Sequence, residues 1–441
     1  MFKNYLFKKL FVAAMLSAVS FAINAADGDL DAIRAELKLL RESYQLKIQQ
    51  LEQRLEEAEA ANESNAEKTE ELAIEVSQKG NQRSANTYNP GIGVILNGHL
   101  LSSDSEQEFN IPGFMLADEV GPGAEGFELG ESEVNINANV DDKFYASVTL
   151  AFGEGAGVEE AYLQTISLPY GFSIKAGRFF SSIGYLASRH THSDDFSERP
   201  LAYEAFLGGQ FGDDGVQLTY LAATEIFWES GFELFRGDSF PAAGAADNGN
   251  GVWTAFTHFG DDINDSQSWR LGLSYLNANV DQRTSLEGES FSGESDLWIA
   301  DFVWKWSPNG NSKITNAKIQ AEYLSRDEKG IFNDTLGNNY LYDASQDGWY
   351  VQGIYQFMPQ WRVGTRYSQL SADDLGADFS ETILNNLNQQ PKRFSLMLDW
   401  SNSEFSRFRL QYSQQKIQTE TSNIWTLQYI AAFGAHGAHS F

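Results

Sequence analysis

The chain of 441 residues contains no cysteine. Disulfides and thiolate metal centres are therefore excluded, and any transition metal must rely on His, Asp or Glu. Histidine is itself scarce, at six residues, and proline is limited to nine. No segment beyond the first 25 residues offers 18 uninterrupted apolar positions, so a helical membrane span is not expected. Basic charge is short as well: 31 Lys and Arg face 61 Asp and Glu, for a formal net charge of -30. That balance removes nucleic acid from the expected partners, because binding there needs a basic footprint. It suits calcium or magnesium bridges to anionic neighbours. No nucleophile elbow, phosphate-binding loop or HExxH pattern occurs. His192, Ser193 and Asp194 are triad residue types, but contiguous residues rarely converge as catalysis demands, so the chain is not expected to be an enzyme.

What is present divides into four stretches. Residues 1–25 read as a secretory signal: Lys3, Lys8 and Lys9 precede a short apolar run, and Ala25 supplies the small residue before the cut. Its removal would leave 28 basic against 61 acidic residues. Residues 26–79 read as a periplasmic coiled coil, because Leu30, Ile33, Leu37, Leu40, Tyr44, Ile48, Leu51 and Leu55 step by threes and fours, with a stutter at Tyr44. Its role would be oligomerisation. Residues 80–89 are a linker, and 90–441 form the main domain.

From Asn89-Pro90 the period changes from helical to alternating. Glu131, Glu133, Asn135, Asn137 and Asn139 oppose Val134, Ile136, Ala138 and Val140. Trp298, Ala300, Phe302, Trp304 and Trp306 oppose Asp301 and Lys305, and Phe394, Leu396, Leu398 and Trp400 oppose Arg393 and Asp399. One wet face and one apolar face, with aromatics at strand ends, fit strands between a lumen and lipid. The spacing predicts sixteen antiparallel strands, near 91–101, 127–139, 143–153, 157–168, 171–179, 214–224, 227–236, 251–260, 268–278, 296–306, 314–325, 347–357, 360–370, 392–401, 404–416 and 423–433. Short turns alternate largely with long loops at 102–126, 180–213, 237–250, 279–295, 326–346 and 371–391. The fold class expected is thus an all-β transmembrane barrel of about 16 strands with an N-terminal coiled coil. Both termini would lie in the periplasm.

This pattern resembles the bacterial outer-membrane porins over roughly residues 90–441. The segment "GRFFSSIGYLASRHTHSDDFSERPLAYEAFLGGQFGDDGVQL", with "NPGIGVILNG" and "GAHGAHSF", is similar to a set of poorly characterised porin-like proteins, some linked with zinc-responsive expression. There is a more general similarity to phosphate-selective porins O and P. The resemblance implies passive diffusion of small hydrophilic solutes or ions through a homo-oligomer in the outer membrane, a trimer by analogy. It also implies a third loop folded into the barrel as its constriction.

On that basis Asp194, Asp195, Glu198 and Arg199 in "RHTHSDDFSERP" would sit at the constriction. Arg362, Arg366, Arg393, Arg407 and Arg409 fall on the polar faces of three neighbouring strands. With Glu131 and Glu133 they would set lumen selectivity, as a basic wall opposite acidic loop residues. The alternative is local pairing of the arginines with lumen carboxylates such as Asp399. His190 and His192 face one way on an extended segment, Asp194 continues that face, and His436 and His439 form a second pair. Either pair offers ligands for zinc, and the acids offer ligands for calcium, although passive diffusion needs no cofactor. Two other functions stay open: a structural anchor with a plugged barrel and coiled-coil tether, and a zinc-binding or zinc-uptake channel.

Overall fold

The computed structural model describes residues 90–105, 109–117, 120–153, 155–244 and 250–434. The expected signal, coiled coil and linker lie outside the described residues, as do His436 and His439. Seventeen strand segments make sixteen strands, because two segments are successive parts of one strand along β1. The strands are β1 (Gly91–Ser103), β2 (Gly126–Leu129 continued by Ser132–Asn139), β3 (Phe144–Phe152), β4 (Ala156–Thr165), β5 (Phe172–Phe180), β6 (Gly212–Leu221), β7 (Phe227–Phe235) and β8 (Val252–Asn264). They continue as β9 (Gln267–Thr284), β10 (Ser290–Trp306), β11 (Asn316–Asn333), β12 (Asn339–Met358), β13 (Trp361–Ala372), β14 (Lys392–Ser403), β15 (Ser406–Lys416) and β16 (Ser422–Gly434). Each pairs antiparallel with its neighbours, and β1 closes on β16 from Gly93↔Gly434 to Ser103↔Ile424.

The alternation read from the sequence decides which face is which. Along β14, Arg393, Ser395, Met397 and Asp399 are buried while Phe394, Leu396 and Leu398 are exposed. Apolar side chains on the outside and charged ones on the inside suit only a closed strand wall in lipid. Aromatics ring the outside at two heights. Trp361, Trp400, Phe408 and Tyr429 follow one another at the short-turn end, with ring centroids 6.2, 5.9 and 4.5 Å apart. Trp253, Tyr275 and Trp298 do so higher up, at 5.1 and 4.7 Å. These girdles mark the two lipid–water interfaces.

Above the upper girdle the structure departs from the sequence expectation. Residues 279–295 and 326–346 were expected to be long loops. They are mostly strand, and only 285–289 and 334–338 connect β9 to β10 and β11 to β12. Charge-rich text such as "SRDEKG" hides the ladder, which runs from Ser290↔Asn333 to Trp306↔Ala317 between β10 and β11. The inward side chains there combine an apolar cluster, with Ala278, Val280, Phe291, Phe332, Tyr342 and Ala344 buried together, and a buried charged group in which Glu328 meets Arg283 at 2.6 Å and Arg326 at 3.5 Å.

That cluster is completed by the third loop, residues 181–211, which folds into the barrel. Its helix α1 (Leu201–Leu207) is buried along its whole length and ends at Gly208 in the left-handed conformation, φ 61°. Helix α1 lies against β11, β12 and β13, where Gly348 on β12 leaves room for it. A Cβ at Gly348 would come within 2.6 Å of Leu370, 2.8 Å of Phe206 and 3.0 Å of Ala202. Gly348→Leu is therefore expected to leave the barrel closed but unseat the helix. The expected signs are retained heat-modifiable mobility on a gel and new trypsin cleavage at Arg189. A third loop as trypsin-resistant as in the parent chain would mean that this contact does not hold it.

Candidate functional site

The site is built where strand parity breaks. On β2, Leu129 pairs with Gly98 whereas Glu133 pairs with Ile95, so one extra residue is inserted around Gly130–Ser132. Before the break Phe127 and Leu129 face outward; after it Ile136 does. On β4, Thr149 of β3 opposes Glu160 while Leu150 opposes Val158, which leaves Glu159 as the extra residue. Bulges re-aim side chains. These two bring Glu131, Glu133, Glu159 and Glu160 together inside the barrel.

The third loop delivers two histidines to them. His192 Nδ1 lies 2.7 Å from Glu133 Oε1. His190 Nδ1 lies 3.2 Å from Glu133 Oε2 and 3.3 Å from Glu159 Oε2, and its Nε2 lies 3.1 Å from Glu160 Oε2. Thr191 donates its hydroxyl to Glu131. Burial opposes a charge on His190, but Glu133, Glu159 and Glu160 outweigh it and hold the ring well above its ordinary pKa. Asp194 does not join this group, against expectation. Residues Thr191–Ser193 form a 3-10 turn rather than an extended run, and Asp194 instead meets Arg199 at 2.8 Å. Glu159 and Glu160 escaped the sequence reading because adjacent residues in a regular strand face opposite sides. The doubled acid in "GVEEAY" was the available signal.

The arginines hold the other side of the loop. Arg362 meets Asp195 at 3.1 Å and also pairs with Asp399; Lys318 pairs with Asp195 as well. Arg366 meets Glu198 at 2.8 Å, and Arg393 meets Glu204 at 2.9 Å. Arg409 meets Asp399 at 2.9 Å and donates to the Asp194 carbonyl at 2.7 Å, while Arg407 donates to the His192 carbonyl at 2.7 Å. Basic wall and acidic loop thus meet in direct contact, not across open lumen.

Two of these loop acids predict a pH response. Burial raises the pKa of Glu198 and Asp195, but Arg366 and Arg393 for the first, and Lys318 and Arg362 for the second, lower them below the usual carboxylate range. Asp194 shifts the other way, because burial outweighs Arg199. The stabilisation from Glu198 and Asp195 is complete above about pH 4, the unfolded-chain value, and is lost as pH falls through their lowered values. Channel steps are expected to be constant from about pH 5 to 8 and to grow below about pH 4 as the loop loosens. Steps unchanged down to about pH 2.5 would show that these pairs do not hold the loop.

Space remains on the opposite side of the loop. A cavity of about 1460 Å³ lies between it and β1–β4, β15 and β16. It reaches from Asp104, Glu125 and Glu420 at the loop rim to Asn97 and Gln428 at mid-strand. Eight carboxylates line it (Asp104, Glu125, Glu128, Glu131, Glu159, Glu198, Glu204 and Glu420) against two arginines, Arg199 and Arg393. Glu198 and Glu204 are already paired with arginines, Glu159 with His190 and Glu128 with His99 at 3.1 Å, which leaves Asp104, Glu125, Glu131 and Glu420 to make the lining acidic.

No family model matches the chain. Its barrel is similar to outer-membrane expressed OmpT of Vibrio cholerae, with 12% identity and a TM-score of 0.50, covering 78% of this chain and 97% of that one. It is also similar to the outer membrane channel DcaP of Acinetobacter baumannii, with 14% identity and a TM-score of 0.49, covering 79% and 99%. At such identity the OmpT likeness establishes the fold alone, that of an outer-membrane porin-like barrel. An uncharacterized protein of Aquifex aeolicus (strain VF5) is 30% identical over 339 residues, which span 72% of this chain and 70% of that protein. By that extent of shared sequence, the chain belongs to the same family as the Aquifex aeolicus protein.

Proposed function

We propose that the chain is a passive outer-membrane channel for small hydrophilic solutes that prefers cations, with the third loop as its constriction. The observation that carries this reading is the acidic cavity left beside a loop pinned to the far wall. Uncompensated carboxylates along a water-filled path concentrate cations and repel anions. The coiled coil expected over 26–79 would hold copies together in the periplasm. The second reading, a plugged anchor, draws on the apolar cluster from Ile111, Phe114, Met115, Phe379, Leu384 and helix α1 inside the loop end of the barrel. One experiment separates the two: purified folded protein in a planar bilayer under a potassium chloride gradient. Stable steps with a reversal potential on the cation side support the channel. Folded protein that gives no steps supports the anchor, and an anion-side potential removes the cation preference.

A further inference from the structure

The charges on the two sides of the third loop are treated differently. Asp195, Glu198, Glu204 and Asp399 each meet an arginine. Among the described residues, the ion pairs of Glu133, Glu159 and Glu160 are with His190 and His192. Three carboxylates thus converge on two imidazoles in a partly dry place. Neither oxygen of Glu159 accepts a hydrogen bond, although its side chain is only 8% exposed. His190 Nδ1 is buried and makes no hydrogen bond either, with carboxylate oxygens 3.2 and 3.3 Å away. These are polar atoms brought close without satisfying one another.

The spacing suits a shared ion. Donors about 2.1 Å from a tetrahedral metal lie about 3.4 Å apart. The edges from His190 Nδ1 to Glu133 and Glu159 are 3.2 and 3.3 Å, and one donor atom from each of Glu133, His190 and His192 lies within 4.8 Å of the others. On the far side of the ring, Glu160 lies 3.1 Å from His190 Nε2. A carboxylate behind a ligand histidine fixes its tautomer and raises its basicity. Two imidazoles among the donors favour a transition metal over calcium, which takes six to eight oxygens.

We propose that Glu133, His190 and His192, with Glu159 as fourth donor, bind a divalent transition-metal ion of the zinc class inside the barrel. The ion would tie the third loop to β2 and β4, as the arginines tie its other side to β13 and β14. The site deepens the channel reading but does not depend on conduction.

The test is zinc binding to the untagged, metal-stripped, full mature chain folded in detergent micelles, followed by calorimetry and by metal content after dialysis. The expected result is one zinc ion per chain. His190→Ala with His192→Ala should weaken it at least tenfold, and Glu159→Gln should weaken it measurably. His436→Ala with His439→Ala should leave the stoichiometry unchanged. Zinc binding that survives the first pair overturns the proposal, as does its absence in the parent chain or equal competition by calcium. Folding is judged by heat-modifiable mobility. If the double-histidine variant fails that check, Glu159→Gln and Glu133→Gln decide, and undiminished binding in both overturns the proposal. Because binding is read without current, a silent bilayer would remove the channel and leave the site standing.

Discussion

Replacing Arg366 and Arg393 together by alanine is expected to at least double single-channel conductance. Glu198 and Glu204 would then remain in the barrel without their cationic partners. Removing one partner of a buried pair typically costs about 3–5 kcal/mol, because the remaining charge stays desolvated. Two such losses, less than fully additive at neighbouring sites, exceed what an in-folded loop can absorb without moving. The barrel wall is closed by its own ladder of backbone bonds, so it should survive. Adding Glu198→Gln and Glu204→Gln should restore the parent conductance, since neutral amides tolerate the site without arginines. Unchanged steps from the folded double variant would take the third loop out of the conductance mechanism.

The second large effect concerns charge at the mouth. Glu125→Gln, Glu128→Gln and Glu420→Gln remove three of the cavity's carboxylates without adding bulk. In a tenfold gradient around 0.1 M potassium chloride, the parent's reversal potential should lie towards potassium equilibrium. The triple variant should move more than halfway back to zero. The difference should shrink near 1 M salt, where the screening length falls from about 10 to about 3 Å. A potential indifferent to the three substitutions would place the selectivity elsewhere, with the buried arginine wall the next candidate.

The sixteen strands were legible because lipid and lumen impose opposite chemistry on alternate residues, as "RFSLMLD" in β14 shows plainly. The third loop was legible only through resemblance to porins; nothing local in "RHTHSDDFSERP" announces an inward course. Its seat was not legible, because the pairs that make it join residues such as Arg366 and Glu198, 168 positions apart. The histidine pair could be read, but its partners could not. A one-residue bulge is invisible to a rule of strict alternation, and Glu159 and Glu160 reach one side of the wall by such a bulge. The height of β9–β12 was missed for a related reason. Above the membrane the outward face turns polar, and the remaining alternation looks like a charged loop.

That height has a consequence for how solutes arrive. Strands β9–β12 run for 18, 17, 18 and 20 residues, against 9 and 10 for β3 and β4. The wall is therefore a palisade on one flank and a low sill on the other, and the cavity opens behind the sill. On the channel reading, a solute arriving from the cell surface would enter from the side, out of the layer just above the lipid headgroups. A channel of that shape would sample the ions that the surface itself retains.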